Sequence, residues 1–419
     1  MPIDNLLENL RELCLFGLRR RYADDPTRCH DGKFSSDVLE RLEWELFHVQ
    51  RLEIAAFFLL LADIVQFASE HGIGLTARGI ASSSLICYAL GISHVCPLEH
   101  GLIFERFCGE NSSIKPDIDL LLDLKRINEI LDYLEYKYSG NGATSTAGPN
   151  FEYISARKDY FYEFEYVGTQ WRTTDSQSTN DFEQRFYDLK ALTILADMVD
   201  RIKQSRGITV EPYGFPTDDP ETFALLGSAD TKGIFQLDVV TNDPNEMQSY
   251  ILGLLRQVKP DHFEDIMAIL ALNRPRPLFI GMDRDYVKGK HGRQTPKYLH
   301  PIVEDVLSET YGVMIYQEQG MQVLHRVGMI SLSDSYNCIK AIAIKKSGLT
   351  EQFRSDFISG AKKNGLTKKL ALEIFKEVER FTPYTYNKAH IANYAQMTYM
   401  MAYIKAHYPV EFMAAVSST

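Results

Sequence analysis

The sequence has few cysteines, and none of them stands in the spacing of a metal-binding or redox motif. The six are scattered without a Cys-x-x-Cys pair: Cys14, Cys29, Cys87, Cys96, Cys108 and Cys338. A zinc site or a disulfide framework is therefore not expected. Unpaired cysteines and an N-terminus without a secretory signal indicate a reducing, cytoplasmic setting.

Long apolar runs and an excess of positive charge are also lacking. The richest apolar run, residues 54–62, is followed at once by Asp63, so no membrane partner is expected. The formal net charge is −11 and the sequence pI is about 5.5, which is unfavourable for a broad phosphate-neutralising surface and leaves DNA binding to a local basic cleft. The 419 residues, 45% of them hydrophobic, suffice for two or three domain-sized cores.

Two carboxylates stand two residues apart in an otherwise apolar stretch. Pro116 opens this stretch and the following residues favour a β-strand, so Asp117 and Asp119 are expected on one face of that strand. Neighbouring carboxylates repel each other unless a cation lies between them. The pattern therefore predicts a divalent metal that holds the phosphates of a nucleotide. A strand with one polar, solvated face is the alternative.

A loop rich in glycine, serine and threonine, residues 72–84, leads into a helix that is predicted from about Ser83. Free backbone N–H groups in such a loop, and the positive end of the helix dipole, attract an anion. Arg78, Gly79 and Ser82 are the candidate phosphate contacts. The alternative is a Gly-rich turn that only packs on the sheet.

Further blocks follow in order, namely Gly233-Ile-Phe-Gln-Leu237, Arg274-Pro-Arg-Pro-Leu278, Tyr311-Gly-Val-Met-Ile-Tyr-Gln-Glu-Gln319, Asn387-Lys-Ala-His390 and Ala406-His-Tyr-Pro-Val-Glu-Phe412. With residues 72–119 they resemble the bacterial C-family replicative polymerases, the alpha subunit of DNA polymerase III. The resemblance implies an α+β fold: a polymerase-beta-like nucleotidyltransferase palm, with a mixed sheet and helices, and then a mainly α-helical fingers domain. The implied boundaries are residues 1–70 for an N-terminal helical part of the palm, 71–205 for the palm, and 206–419 for the fingers.

The resemblance also implies a site. Its catalytic residues would be Asp117, Asp119 and Asp188, with Mg²⁺ or Mn²⁺ held by Asp117 and Asp119. The implied nucleotide or phosphate contacts are Arg78, Gly79, Ser82, Arg106, Arg274, Lys340, Lys345, Lys388 and His390. A basic cluster of Lys288, Lys290, His291 and Arg293 would face the nucleotide or template, or else form a solvated loop. The implied partners are a deoxynucleoside triphosphate, primed DNA, and replication or repair proteins.

The position of the third catalytic carboxylate is open in the sequence. Family members carry a Lys-Phe-Asp-Phe-Leu-Gly-Leu-Arg-Thr-Leu-Thr-like strand there, and this chain has Arg185-Phe-Tyr-Asp-Leu-Lys-Ala-Leu-Thr193. Aligned without gaps from its Leu-Thr end, the family's aspartate falls on Arg185. If Arg185 matches the family's lysine instead, Asp188 lies one position late and on the opposite face, unless a bulge intervenes.

Other departures affect phosphate handling and the grip on DNA. Ile80 replaces a serine of the phosphate loop, and an Arg-Arg-Ala-Met-Gly-Lys-Lys block appears as Lys340-Ala-Ile-Ala-Ile-Lys-Lys346. An ammonium does not replace the planar phosphate clamp of a guanidinium. Residues 139–181, a Ser/Gly-rich stretch followed by an aromatic segment that predicts a hairpin or edge strands, stand where relatives carry a helical thumb.

Three functions are consistent with this pattern. The first is a palm-and-fingers protein of DNA replication or repair with weakened or lost template-directed synthesis. The second is an active minimal two-metal DNA polymerase or nucleotidyltransferase. The third is a non-catalytic subunit that binds a nucleotide, a nucleic acid or a protein partner. Convergence of Asp117, Asp119 and Asp188 would favour the second function, whereas an arginine at the third position would favour loss of catalysis.

Overall fold

The chain divides into two compact units in a computed structural model that describes residues 3–109, 116, 118–138, 145–148, 151–157, 181–238 and 247–418. Unit 1 comprises residues 1–108, 112–210 and 414–419, and unit 2 comprises residues 109–111 and 211–413. The main division, between residues 210 and 211, lies close to the palm–fingers boundary that the resemblance implies at residue 205. The expected α+β class, a small mixed sheet followed by helices, is confirmed.

The described part of unit 1 contains the helices α1 (Ile3–Arg21), α2 (Ser36–Arg51), α3 (Ala55–Glu70), α4 (Leu85–Ala89), α5 (Ile127–Tyr138) and α6 (Lys190–Arg206). The spacing of apolar residues predicts one helical pattern from about Ser36 to Glu70, whereas the structure has two helices there, α2 and α3, bent by 116°. The chain turns at Glu53, whose φ of 51° lies outside the helical region. A hydrophobic pattern continues across such a turn, which is why the sequence did not show it.

A mixed five-stranded sheet is the centre of unit 1. Its strands are β3 (Leu75–Arg78), β4 (Asp119–Leu122), β5 (Ser145–Gly148), β6 (Phe151–Arg157) and β7 (Asp181–Asp188), and their order is β3-β4-β7-β6-β5. Strands β4 and β7 are parallel, and the other pairs are antiparallel. A separate two-stranded hairpin of β1 (Cys29–His30) and β2 (Lys33–Phe34) lies between α1 and α2. Of the segment 151–171, where the sequence predicts a hairpin or edge strands, the structure describes β6, which pairs with β5 from the preceding Ser/Gly-rich stretch. Residues 158–171 lie outside the described residues.

One face of the sheet belongs to the core of unit 1. Alternate residues point to opposite faces of a strand, and the alternation places five apolar side chains in the core: Leu75, Ala77, Leu120, Leu122 and Phe186. Helices α1 to α4 contribute most of the other core side chains. The register of the sheet is fixed by this apolar face, because a slip by one residue would turn these side chains out of the core.

Unit 2 is helical throughout its described part. Its elements are α7 (Pro220–Ser228), α8 (Met247–Val258), α9 (Phe263–Leu272), α10 (Pro275–Ile280), α11 (Met282–Lys290), α12 (Pro301–Leu307), α13 (Gln317–Gly328), α14 (Leu332–Ala343), α15 (Ser347–Lys363), α16 (Lys368–Phe381) and α17 (Lys388–His407). Helices α13 and α15 approach so closely that a Cβ on Gly360 would lie 1.7 Å from the carbonyl oxygen of Gly328. A final helix, α18 (Pro409–Ser418), ends the described chain.

The helices were also compared with the length and apolarity that a membrane span requires. Within the described ranges, no individual helix satisfies both requirements. Helices α2 and α3 satisfy them only when counted together across their 116° bend.

Candidate functional site

The candidate site of unit 1 lies at the end of the sheet where β4 begins. There the pairing of four strands aligns Arg78 of β3, Asp119 of β4, Arg185 of β7 and Tyr153 of β6 in one cross-strand row. Residues paired in this way share a face of the sheet. We call these four positions the charged row. It lies on the face opposite to the core residues Leu120 and Phe186.

The register decides which residue stands where a third carboxylate is expected. Arg185 is the direct partner of Asp119, and Asp188 is the partner of Leu122. Asp188 is three residues from Arg185 along β7, so it does not hold the register position beside Asp119. The predicted convergence of Asp188 with Asp119 is therefore not what the sheet shows. No bulge corrects the register, because each residue from Asp119 to Leu122 pairs in turn with Arg185 to Asp188.

The pair of carboxylates from which the site was inferred is described only in part. Asp119 opens β4 and is partly buried, whereas Asp117 lies outside the described residues. The strand predicted from Pro116 onward is found over Asp119–Leu122. A joint metal site at Asp117 and Asp119 therefore stays a prediction.

The loop after β3 is built differently from a simple phosphate loop. Arg78 precedes a short 3₁₀ turn, Gly79–Ser83, in which Gly79 has a φ of 73°, a conformation that glycine adopts at low cost. Arg78 and Gly79 are partly buried. Ser82 is fully buried, and its hydroxyl lies 3.0 Å from that of Ser93. This burial argues against phosphate contact for Ser82.

A buried carboxylate occupies the helix end that was expected to attract phosphate. Glu45 of α2 is fully buried, and its two oxygens accept hydrogen bonds from the Ser84 hydroxyl at 2.7 Å and from the backbone N–H groups of Leu85 and Ile86 at 2.8 and 3.1 Å. Arg41 completes the network, with Nε 2.6 Å from Glu45 Oε1 and a terminal nitrogen 2.5 Å from the Ser83 carbonyl. The first amides of α4 are therefore already paired with an internal anion.

The two remaining contacts expected in unit 1 differ in exposure. Arg106 ends a short 3₁₀ helix, Phe104–Arg106, and is only 8% exposed. Arg78 is more accessible, and its guanidinium carbon lies 5.2 Å from the ring centre of Tyr187 on β7. This distance is within the range of a cation–π contact. Contact with Tyr187 thus orients the guanidinium of Arg78, which remains partly exposed to solvent.

Two candidate residues of unit 2 are committed to contacts inside that unit. Arg274 donates from Nε and a terminal nitrogen to the carbonyls of Ala271 and Tyr384, each at 2.7 Å, and its guanidinium lies 4.5 Å from the Tyr386 ring. Burial lowers the pKa of Arg274. Lys388 is buried, and its Nζ lies 2.7 Å from a carboxylate oxygen of Glu309.

The basic cluster around Gly289 is divided by the structure. Lys290 ends α11 with only 6% of its side chain exposed, and its Nζ lies 2.5 Å from Asp261 and 2.7 Å from Asp265. Asp261, His262 and Asp265 lie close enough together to hold a metal ion, but the ammonium of Lys290 already forms ion pairs with both carboxylates. Burial alone would raise the pKa of Asp261, yet hydrogen bonds from Lys290 and His262 hold it at about 2. Lys288 and Arg293, by contrast, are exposed.

The most accessible candidate cations of unit 2 lie at the end of α14. Lys340, Lys345 and Lys346 are exposed. Ala341 is buried, whereas Ile344 is 57% exposed. His390 lies in the first turn of α17, where Asn387 accepts its backbone N–H as the helix cap, and its ring packs 4.3 Å from that of Tyr394. The predicted start of this helix at Asn387 and Lys388 is confirmed.

Comparison with known proteins identifies the two parts of the chain. A model described as the bacterial DNA polymerase III alpha NTPase domain matches residues 8–168, and one described as the finger domain of the same subunit matches residues 191–365. The chain belongs to the bacterial DNA polymerase III alpha family.

Curated alpha subunits of this family align with almost all of the chain. The subunit of Halalkalibacterium halodurans is 30% identical over 98% of the chain, that of Aquifex aeolicus 28% over 100%, and that of Mycobacterium tuberculosis 28% over 96%. The alignments cover 43%, 44% and 41% of these proteins, so the chain spans less than half of their length. The Aquifex alignment is 529 positions long against 419 residues here, which means that this relative carries residues within the matched span that the chain lacks.

The charged row does not fit the two-metal site that the family resemblance implies. A guanidinium is positively charged and offers no lone pair to a metal ion, and Arg185 stands beside Asp119 where a third carboxylate is expected. The row, as the structure describes it, holds Asp119 as its carboxylate. No step of a metal-dependent reaction is therefore assigned to this row.

Sequence reasoning missed Glu45, although the sequence contained a signal for it. Val38, Leu42 and Val49 form the apolar face of α2, and position 45 falls on that face at helical spacing. A glutamate on a buried face requires donors around it. The sequence did not indicate that these donors come from the start of α4.

Proposed function

We propose that this chain is a palm-and-fingers protein of DNA replication or repair in which template-directed DNA synthesis is weakened or lost. One observation carries the proposal, namely the register that sets Arg185 beside Asp119. Two-metal phosphoryl transfer depends on carboxylates that hold both cations. An arginine at the third position opposes metal binding by charge and supplies no ligand.

Two further observations support weakened synthesis. The block that ends α14 carries Lys340 and Ala341 where the family resemblance implies arginines, and Ala341 is buried. Arg274 and Lys388 donate to groups of their own unit rather than being open to a ligand. Fewer cationic side chains are therefore accessible to a deoxynucleotide or primed DNA than the sequence motifs predict.

Primer extension on a primed DNA template tests the proposal directly. The full chain is assayed with the four deoxynucleotides and either Mg²⁺ or Mn²⁺, beside the double variant Asp117→Asn/Asp119→Asn. We expect the two proteins to extend the primer equally little. Loss of a metal ligand removes several kcal/mol of transition-state stabilisation, roughly a thousandfold or more in rate.

The opposite result would identify an active minimal polymerase. Extension by the natural chain that disappears in the double variant would show that Asp117 and Asp119 hold catalytic metal ions in spite of Arg185. Extension that persists in both proteins would indicate a contaminating polymerase, which a repeat after a further purification step would remove. Mg²⁺ or Mn²⁺ dependence and the catalytic roles of the two aspartates stay predictions until this assay.

A further inference from the structure

The turn between α15 and α16 is strongly positive in a chain whose formal net charge is −11. Residues 357–372 include no aspartate or glutamate but four lysines, all of them exposed: Lys362, Lys363, Lys368 and Lys369. We call these four residues the lysine turn. Among the contacts of the described residues, no ion pair involves any of the four ammonium groups. Their charge is therefore available to an anionic partner.

The backbone that carries the lysine turn is held in place by hydrogen bonds. The side-chain amide of Asn364 donates to the carbonyls of Arg326 and Val327, at 2.8 and 3.3 Å, near the end of α13. Thr367 caps α16, because its hydroxyl accepts the backbone N–H of Leu370 at 3.2 Å. A surface whose backbone is already ordered loses less conformational freedom when a partner binds.

A cavity of about 410 Å³ adjoins the lysine turn and includes Lys363 in its lining. Its apolar lining residues are Met329, Ile330 and Phe353, and Met329 is 61% exposed. A methionine side chain is flexible and polarisable, so it adapts to the shape of a bound group. Clefts of roughly 300 to 1,000 Å³ with apolar walls and a few polar groups are typical binding sites. The cavity thus offers a place for an apolar side chain next to positive charge.

Two carboxylates, those of Asp334 and Asp356, also line the cavity. Asp334 accepts a hydrogen bond from the Ser331 hydroxyl at 3.0 Å. Asp356 is exposed and lies seven residues before Lys363, which is two turns or about 10 Å along α15. An anionic group is therefore attracted at the lysine turn and repelled at Asp356. A nucleic-acid strand carries a phosphate at every nucleotide, so it fits this arrangement less well than a peptide whose acidic and apolar residues are separate.

We propose that the lysine turn and this cavity together bind an acidic peptide segment of a partner protein. The carboxylates of the segment pair with the lysine turn, and a neighbouring apolar side chain of the segment enters the cavity and contacts Met329 and Phe353. Charge complementarity orients the segment, and burial of the apolar side chain provides most of the affinity. This surface requires neither a nucleotide nor a metal ion, so the proposal is independent of whether the chain synthesises DNA.

Fluorescence anisotropy of the full chain with a fluorescein-labelled peptide, Glu-Asp-Glu-Asp-Leu-Phe, tests the proposal at low salt. We expect Lys368→Ala/Lys369→Ala to weaken binding about three- to tenfold, because two exposed charge pairs are lost. Lys345→Ala/Lys346→Ala is the matched control. It removes the same charge from two exposed positions just before α15, about 25 Å from the lysine turn along that helix, and should change the affinity less than about twofold.

A second peptide, in which alanine replaces the phenylalanine, tests the role of the cavity. We expect it to bind the natural chain about tenfold more weakly. Met329→Asn removes the exposed apolar side chain from the cavity, and asparagine readily adopts the left-handed backbone of this position, whose φ is 55°. This variant should bind the phenylalanine peptide more weakly and the alanine peptide as the natural chain does, a difference that general loss of structure would not produce. Circular dichroism verifies that each variant is folded.

Three results would overturn the proposal: no binding of the phenylalanine peptide at low salt, equal losses in the two double-lysine variants, or equal affinity of the natural chain for the two peptides. A labelled oligothymidylate tests nucleic acid as the alternative partner. If Lys368→Ala/Lys369→Ala weakens binding of the oligothymidylate but not of the peptide, the lysine turn contacts nucleic acid and the proposal is wrong.

Discussion

In unit 1, Glu45 forms a buried ion pair with Arg41 and accepts hydrogen bonds from the start of α4. In unit 2, by contrast, the buried ion pairs include residues that the sequence predicts as ligand contacts. Lys290 is paired with Asp261 and Asp265, and Lys388 with Glu309. The candidate cations that remain exposed in unit 2 include the lysines at the end of α14, together with Lys288 and Arg293. Charged residues in the motifs of one family thus have different roles in the two units.

The partner of a charged side chain, and not the place of that side chain in a motif, therefore decides whether the charge is available to a ligand. A buried charge that loses its partner is costly, because neither water nor another group replaces the lost interaction. An exposed lysine contributes little to stability and keeps its charge for a ligand. Four substitutions or conditions test this division, in descending order of expected effect.

Glu45→Gln should produce the largest effect, since it leaves Arg41 without its counter-ion and turns an amide N–H₂ toward groups that donate hydrogen bonds. We expect unit 1 to lose about 3 to 5 kcal/mol in free energy of unfolding. Urea denaturation followed by circular dichroism measures this loss. Glu43→Gln, two residues away and exposed, is the control and should change stability by less than about 0.5 kcal/mol.

Equal effects of the two substitutions would contradict the structural role of Glu45. A loss of unfolding free energy confined to Glu45→Gln would support the difference between the units. It would show that the internal carboxylate, rather than a phosphate, stabilises the start of α4.

Lys290→Met should have the second largest effect. It removes the ammonium between Asp261 and Asp265, of which Asp265 is buried and also accepts a hydrogen bond from Tyr286 at 2.8 Å. We expect a loss of about 3 kcal/mol, as for breaking a buried pair from one side. Lys288→Met, in the same helix but exposed, serves as the control in the same urea denaturation experiment.

If Lys290 contacts a nucleotide or template instead, the two variants should unfold alike while Lys290→Met alone weakens DNA binding. Fluorescence anisotropy with a labelled primed template would detect that outcome. It would contradict the conclusion that Lys290 is committed to a buried ion pair of unit 2.

Acid should destabilise unit 1 more than unit 2 between pH 7 and pH 5. Burial and the nearby Arg51 lower the pKa of His48, and burial and Arg21 lower the pKa of His94 well below the usual value. The unfolded state therefore binds more protons than the folded state below about pH 6.5, and stability falls with the pH by at most about 2 kcal/mol per histidine at pH 5.

The lowered pKa values of unit 2 act in a different range. Hydrogen bonds from Thr222 and His407 lower the pKa of Asp219 against the opposing effect of burial, and the pKa of Asp261 is about 2. A carboxylate with a lowered pKa keeps its stabilising contribution above its unfolded pKa of about 4 and loses it only in stronger acid. Between pH 7 and pH 5 these two groups leave unit 2 unchanged.

Hydrogen exchange read by mass spectrometry at both pH values resolves the two units. His48→Phe should remove part of the acid sensitivity of unit 1, because His48 is buried among Trp44, Phe47 and Phe104. His71→Gln, at an exposed position, should leave the sensitivity as it is. Equal acid sensitivity of the two units would contradict the assignment to buried histidines.

The smallest effect on stability is expected for Lys345→Ala. An exposed lysine contributes less than about 0.5 kcal/mol to folding, but each lost phosphate contact lowers the slope of log affinity against log salt by about 1. Fluorescence anisotropy with primed DNA at several salt concentrations measures that slope. Lys376→Ala, at an exposed position of α16, is the control, and equal slopes for the two variants would contradict a DNA contact at Lys345.

Local patterns were sufficient to predict several helices of unit 1 and the start of α17, whereas the helical class of unit 2 followed from the family resemblance. The apolar spacing of Ile127, Ile130, Leu131 and Leu134 predicts the helix α5, and the helical region that the sequence predicts from Asn387 is α17. These features depend on residues within one or two helical turns. The break at Glu53 was not predictable in the same way, because it depends on how α2 and α3 each pack on the rest of unit 1.

The sequence was sufficient to predict the family, the α+β class and a strand that contains Asp119, because these depend on ordered motifs and on local hydrophobic pattern. It left Arg185 and Asp188 as alternatives for one position. The register of the paired strands distinguishes these alternatives. This register is set by the long-range packing of Leu120, Leu122 and Phe186 in the core. The same holds for Glu45, Lys290 and Lys388, whose partners lie far away in the chain and become neighbours only on folding.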